Sequence, residues 1–315
     1  MKVAILVPVF NDWESFQIFI KNANESLSLV NDEVSILAIN DGSLQSFDGT
    51  STVKMENIYS LEIIDLLTNV GHQRAIAVGL SYLYKNNIFD AVVICDADGE
   101  DKPEDIARLL MEAKKHPHSL VVSQRTQRSE SFQFRIFYHI YKIIFKILTG
   151  KNIDFGNFCL IPKEELGRIV YMSELWNHLA ASLVKAKIPL IKLPTNRGKR
   201  YTGYSKMNLS SLVIHGMGAI SVFIEVLLVR ILIGVSIVGV FSLFIGVIAV
   251  FIKFATSLAI PGWATVVLGI VSIVFLQSLI LSLISIFMML SLRSTSSIIP
   301  ATYSLTFIDK HTKVY

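Results

Sequence analysis

The sequence predicts an α/β domain with a mostly parallel sheet, followed by a hairpin of two membrane-spanning helices. Three observations carry that prediction. Over residues 1 to about 210, short apolar runs rich in β-branched residues alternate with amphipathic stretches, the pattern of βαβ units. The apolar runs end in polar loops, so chemistry-bearing side chains collect at one end of the strands. Residues from about 226 to 292 are almost continuously apolar, which concentrates the excess behind a mean hydropathy of +0.53 and 52% hydrophobic residues in 315. The two cysteines, Cys95 and Cys159, lie in apolar runs and offer no disulfide framework or Cys/His metal cluster, so a reducing compartment is expected.

Residues 3–7 form the first strand. The opening segment superficially resembles a signal peptide, but its apolar run is short, is cut by Pro8 and lacks a small-residue cleavage site. Pro8-Val9-Phe10-Asn11-Asp12 then turns into a helix near Trp13. Residues 33–39 give a second strand, ending in Asn40-Asp41-Gly42-Ser43. A third, 61–66, leads through Asn69-Val70-Gly71-His72-Gln73-Arg74-Ala75 into an amphipathic helix that runs to Tyr84. The fourth strand, Ala91-Val92-Val93-Ile94, delivers Asp96 and Asp98 into a loop. Lys102-Pro103-Glu104-Asp105 starts the next helix, with proline and acids in the first turn where the absent N–H and the helix dipole favour them. Residues 119–123 are a fifth strand.

Asp96-Ala97-Asp98 is the centre of the expected chemistry. In an open α/β sheet, ligands bind beyond the carboxyl ends of the strands, so these acids face a substrate and not the core. Two carboxylates at this spacing suit a hard cation, Mg²⁺ or Mn²⁺, whose shell is completed by substrate phosphates. An isolated Asp-x-Asp is more often a solvated turn; its weight here comes from the surrounding motifs.

Those motifs, Pro8-Val9-Phe10-Asn11, Asn40-Asp41-Gly42-Ser43, Asn69 to Ala75, Asp96-Ala97-Asp98 and Gly203-Tyr204-Ser205-Lys206, resemble in order and spacing the family 2 glycosyltransferases. Among these the chain is most similar to the polyprenyl-phosphate branch, which contains dolichyl-phosphate mannose synthase and bactoprenol glucosyltransferases. The resemblance implies a GT-A (Rossmann-like) catalytic domain and a metal-dependent hexosyltransferase that uses a nucleotide sugar. It places Pro8, Asn11, Asp41, Asn69, Gly71, Arg74 and Asp96 on the donor, Asp98 with Asp96 on the metal, and Asp96, Asp98 and Asp101 in catalysis. Arg125, Arg135, Arg197, Arg200 and Lys206 would hold the lipid phosphate, arginine being suited to bidentate contact with phosphate. Self-association is also implied; a nucleic-acid partner is not expected.

Two departures stand out. Where the family usually has an aspartate after the glycine of its Gly-Asp-Phe segment, this chain has Asp154-Phe155-Gly156-Asn157-Phe158, and Asn157 cannot be a general base. A phosphate acceptor, with a second pKa of about 6, is already ionised and needs positioning more than deprotonation. A sugar hydroxyl would need a base, with Asp101 or Asp154 as candidates. Gly99-Glu100-Asp101 also replaces the commoner Leu-Gln-Asp, which touches sugar and acceptor preference.

The remaining segments read as membrane-associated. Arg135, His139, Lys142 and Lys146 share one face of an expected helix over about 132–148, a basic amphipathic pattern suited to an anionic bilayer surface. Residues 211–225 form a joining helix, in which His215 packs. Spans are expected at 231–252 and about 266–292; 22 residues at about 1.5 Å each cover about 33 Å, enough for a hydrocarbon core of about 30 Å. Basic residues flank the pair, with Lys253 alone between, so the 1–210 domain, a 211–230 juxtamembrane segment and a 293–315 tail are expected on the cytoplasmic side; the resemblance implies that the membrane is a bacterial inner membrane. The function expected is inverting transfer of a hexose from a UDP- or GDP-sugar to polyprenyl phosphate. A glycan hydroxyl as acceptor and a non-enzymatic nucleotide-sugar-binding scaffold are the alternatives.

Overall fold

The computed structural model describes residues 1–48, 55–125, 132–203, 209–256 and 260–315. They divide into two compact units: residues 1–143, 151–222 and 297–315, and residues 144–150 and 223–296.

In the first unit the expected alternation is present. Strands β1 (Lys2–Val9), β2 (Glu33–Asn40), β3 (Ser60–Leu66) and β4 (Ala91–Ile94) alternate with helices α1 (Trp13–Leu27) and α2 (His72–Asn86), and α3 (Pro103–Lys115) leads to β5 (Leu120–Arg125). After helix α4 (Phe132–Thr149) come β6 (Cys159–Pro162), α5 (Lys163–Val170), α6 (Leu179–Lys185), β7 (Leu190–Thr195) and α7 (Leu209–Ser221). One sheet runs in the order β7-β5-β6-β4-β1-β2-β3-β8, the last strand, β8, being Ile308–Lys313.

The sheet is mixed. β1 is parallel to β2 and β4, β2 to β3, and β5 to β7. β6 is antiparallel to both β4 and β5, and β8 is antiparallel to β3. β6, β7 and β8 escaped the sequence pattern because β6 has four residues, β7 carries Lys192 and Pro194, and β8 reads Ile-Asp-Lys-His-Thr-Lys. A short strand and two polar sheet edges lack the apolar run that marks a buried strand. Within the expected 293–315 tail, residues 308–313 form the edge strand of the sheet. His311 Nε2 lies 2.8 Å from Glu62 Oε2 on β3, and Trp176 Nε1 donates to Ile298 O at 3.1 Å.

Period-2 alternation sends β1 side chains to two cores. Val3, Ile5 and Val7 pack with Phe16, Phe19 and Ile20 of α1 and Ile106 and Leu109 of α3, while Ala4 and Leu6 pack with Ile76 and Leu80 of α2. Each of these buried valine, leucine, isoleucine and phenylalanine side chains contributes about 1.5–3 kcal/mol by leaving water. Gly79 lets α2 approach the sheet: a Cβ there would lie 2.3 Å from Leu6 Cδ1.

The second unit holds α8 (Ile224–Ala255) and α9 (Trp263–Ser294), each 32 residues and each long and apolar enough to cross a membrane. At about 1.5 Å per residue they reach about 48 Å. Their mutual seam is built from small residues: Gly239, Ser242, Gly246 and Ala249 of α8 are buried, and a Cβ on Gly239 would meet Ser278 Cβ at 3.2 Å. Close approach of small residues is the usual basis of helix association in lipid. Ser242, Ser278 and Ser285 satisfy their hydroxyls on carbonyls of their own helices. Outward, Phe241, Phe251 and Phe287 are more than half exposed, which fits a lipid-facing surface and not the core of a soluble protein. Within the same unit Arg230 donates to the carbonyls of Ile147 and Lys146, capping the C-terminal end of α4.

Candidate active site

The donor-side residues converge at the carboxyl ends of β1, β2 and β3. Pro8 is buried in β1, in register with Ile39 of β2. Asn11 adopts φ +49°, a left-handed conformation that asparagine tolerates, and its Oδ1 accepts from Leu44 N at 2.9 Å while Ser43 Oγ accepts from Asn11 N. Gly42 lies against the loop after β3; a Cβ there would be 2.7 Å from Asn69 N. Asp41 is buried at 3% exposure, with Oδ1 accepting from Val70 N at 2.7 Å and Oδ2 from Gly71 N at 3.0 Å. Burial pushes its carboxyl up, opposed by those two N–H groups. Asp41, expected to contact nucleotide, therefore spends both oxygens on shaping the loop that opens α2. Asn69 Nδ2 donates to Asp41 O at 3.0 Å, Gly71 N-caps α2 at φ +91°, and Arg74 is exposed on the first turn.

The loop after β4 closes on itself. Asp96 N donates to Asp101 Oδ2 at 3.1 Å, and Asp98 Oδ1 accepts from Glu100 N at 2.9 Å. Asp96 and Asp101 are each raised to about 7, first by burial and then by neighbouring carboxylates. Asp96 Oδ1 is shielded from solvent without a hydrogen-bond partner among the described residues, with His72 Nε2 3.5 Å away. Among the described residues no three His, Cys, Asp or Glu side chains are arranged to hold a metal. Two carboxylates suffice for a cation that takes further ligands from a diphosphate, and the unpartnered Asp96 Oδ1 fits that demand.

Arg125, Arg197 and Arg200, expected on the lipid phosphate, hold the acids of this loop: Arg125 Nη2 bonds Asp101 Oδ1 at 3.1 Å, Arg197 Nη2 bonds Glu100 Oε2 at 2.5 Å, and Arg200 Nη2 bonds Asp98 Oδ2 at 2.5 Å. Four carboxylates, Asp96, Asp98, Glu100 and Asp101, crowd this loop and require counter-charge, which these guanidiniums supply to the last three. Lys206 lies outside the described residues, as does the side chain of Arg135 in α4.

Asn157 is fixed by a chain of bonds whose polarity is set at one end. Leu179 N donates to Gln73 Oε1 at 2.7 Å, so Gln73 Nε2 is the donor to Asn157 Oδ1 at 3.2 Å, which leaves Asn157 Nδ2 to donate to His72 Nε2 at 3.0 Å. Asp154 is held separately, its Oδ2 accepting from Gln124 Nε2 and Lys192 Nζ, both at 2.7 Å. Glu100, Gln73 and His72 were not singled out as site residues from sequence, although all three stand inside motifs that were.

The sequence profile of glycosyl transferase family 2 matches residues 4–176. The chain belongs to that family. Its catalytic domain accordingly takes the GT-A form. A bactoprenol glucosyl transferase of Shigella phage SfX is 31% identical over 238 residues, covering 71% of this chain and 73% of that protein. An undecaprenyl-phosphate 4-deoxy-4-formamido-L-arabinose transferase of Yersinia enterocolitica is 28% identical over 157 residues, 49% of this chain and 46% of its own length. Among solved structures, glucosyl-3-phosphoglycerate synthase of Mycobacterium tuberculosis is similar at 15% identity and a TM-score of 0.47, over 73% of this chain and 79% of that one.

Proposed function

We propose that this family 2 enzyme transfers a hexose, with inversion, from a UDP- or GDP-sugar to polyprenyl phosphate at the cytoplasmic face of a bacterial inner membrane. The observation that carries the acceptor assignment is Asn157. Its amide is locked between Gln73 and His72 at the position where the family resemblance expects an acid, so no base is offered there. The other candidate bases are committed: Asp101 is 4% exposed and bonded to Arg125, and Asp154 is paired with Lys192. An acceptor that arrives ionised needs neither. The names of the Shigella phage and Yersinia relatives point the same way.

In the reaction so read, an oxygen of the phosphomonoester dianion attacks the anomeric carbon, the bond from that carbon to the donor diphosphate breaks, and the nucleoside diphosphate leaves with the electron pair. No proton is transferred, and single displacement inverts the anomeric centre. Asp96 and Asp98 are the residues that would hold Mg²⁺ or Mn²⁺, which when bound offsets charge on the leaving diphosphate. The first turn of α2 offers phosphate oxygens the N–H groups that follow Gly71 and the positive charge of Arg74.

The membrane reading rests on α8 and α9 and on connectivity. The chain leaves the first unit after residue 222 and rejoins it at 297, ahead of β8, which pairs with β3. Two crossings with both flanks in one soluble unit favour a hairpin whose ends share a side, and the basic flanks favour the cytoplasm for that side.

The test is transfer of radiolabel from a panel of UDP- and GDP-sugars, with Mn²⁺ or Mg²⁺, to undecaprenyl phosphate and to the corresponding free alcohol. Label entering organic-extractable lipid from one donor with the phosphate alone is the expected result. Equal use of the alcohol would overturn the phosphate assignment.

A further inference from the structure

We propose that Arg200 couples the two substrates: it is the counter-ion of Asp98 until a metal-bound donor diphosphate takes that carboxylate, and only then is it released to the acceptor phosphate, so that donor binds before acceptor. This deepens, and rests on, the lipid-phosphate reading above.

Residues 197–202 lie as a strap across the loop 98–100. Gly198 N donates to Glu100 O at 2.9 Å and Tyr201 N to Asp98 O at 2.8 Å. The crossing is close enough to demand glycine on both sides: a Cβ on Gly198 would lie 2.0 Å from Gly99 O, and one on Gly99 would lie 2.8 Å from Lys199 O. Beyond the crossing, Thr202 Oγ1 is 2.7 Å from Ser15 Oγ on α1, which anchors the strap's far end.

Along this strap the charges are matched in pairs, Arg197 on Glu100 and Arg200 on Asp98. Both Asp98 oxygens are used, Oδ1 by Glu100 N and Oδ2 by the guanidinium. A divalent cation on Asp98 would share one carboxylate with the Arg200 guanidinium, three positive charges against one negative, and would repel it. The two therefore compete. A guanidinium displaced from Asp98 is a planar fork suited to a phosphate, and it would be displaced at the cleft where the acceptor's phosphate must meet the sugar. The order of binding follows from one arginine serving two anions in turn.

Full-length protein in nanodiscs tests this by binding. Titrated with Mn²⁺ alone and followed by electron paramagnetic resonance, Arg200→Gln is expected to bind the ion about fivefold more tightly than wild type, as loss of a partly buried competing ion pair would give. Gly198→Ala, which lifts the strap without removing a charge, is expected to shift Mn²⁺ affinity in the same direction and guards against a folding defect in the first variant. Binding of undecaprenyl phosphate is then measured with and without Mn²⁺ plus UDP or GDP. Wild type should bind the lipid several-fold more tightly with Mn²⁺ and nucleotide, and Arg200→Gln should lose that gain. Unchanged or weaker Mn²⁺ binding in both variants overturns the competition. Lipid affinity indifferent to nucleotide in wild type overturns the order, as does an Arg200→Gln defect confined to UDP or GDP affinity, which would put the released arginine on the donor. No lipid binding in any state overturns the lipid-phosphate reading itself, while the Mn²⁺ comparison still decides whether Arg200 guards Asp98.

Discussion

Asp41 shows how much structural work one carboxylate can do before any ligand arrives. Its two oxygens accept from Val70 N and Gly71 N, and an asparagine would present an N–H₂ group to one of those donors. Asp41→Asn is expected to destabilise the fold by about 1–3 kcal/mol through that unsatisfied N–H, read as an earlier midpoint in chemical denaturation. Donor affinity should fall with it, because the loop that opens α2 loses its template. An unchanged midpoint would contradict the positioning role. A second residue-scale consequence concerns His178, 6% exposed, which caps α6 by accepting from Ala181 N through Nδ1 at 3.3 Å and faces His215 Nε2 at 3.1 Å through its own Nε2. Burial, and then His215, push His178 down to about 3. The unfolded chain therefore takes up a proton near pH 6.5 that the folded chain refuses, so this contribution to stability is intact above pH 6.5 and is lost as pH falls toward 3, by at most about 1.4 kcal/mol per pH unit. His178→Asn keeps a capping acceptor and should flatten that acid limb; an identical limb in the variant would contradict the assignment. Strand-end acids were legible because a β-branched run that stops at Asp announces where the carboxylate sits. The partners of Arg197 and Arg200 were not, because Glu100 and Asp98 lie 97 and 102 positions away in the chain and only tertiary folding joins them.

At the scale of elements, α4 separates two stripes. His139 and Lys146 are exposed on the basic side, while Ile140, Ile143, Ile144 and Ile147, spaced at helical intervals, are 46–65% exposed on another. An exposed isoleucine stripe beside a basic one is the pattern of a helix lying in a bilayer surface. A nitroxide attached at Ile144→Cys in liposome-reconstituted protein should be more accessible to oxygen than to a water-soluble nickel reagent, and one at Lys146→Cys should show the reverse ratio. The native cysteines, Cys95 and Cys159, are buried and would not compete for label. Equal accessibility at both positions would remove the interfacial role. The period of α4 was legible in the sequence, as were β1 to β5. β6 and β8 were not, since a four-residue strand and a polar edge strand carry too little pattern, and their antiparallel pairing is set by the sheet they join and not by their own residues.

For the whole molecule, the division into a catalytic unit and an apolar hairpin was legible because more than fifty nearly uninterrupted apolar residues have few other uses in a protein. What the sequence hid was closure: the chain passes through the hairpin and comes back to finish the sheet at β3, so the catalytic unit contains residues from both ends of the chain. The reaction assigned to that unit makes a definite chemical claim, that the new bond is to phosphorus-bound oxygen. Phosphorus-31 resonance of undecaprenyl phosphate during turnover with the preferred donor addresses it directly. The account predicts that the lipid monoester signal, which titrates near pH 6, is replaced by a diester signal that no longer titrates in that range. Sugar incorporated into lipid while the monoester signal persists unchanged would contradict it.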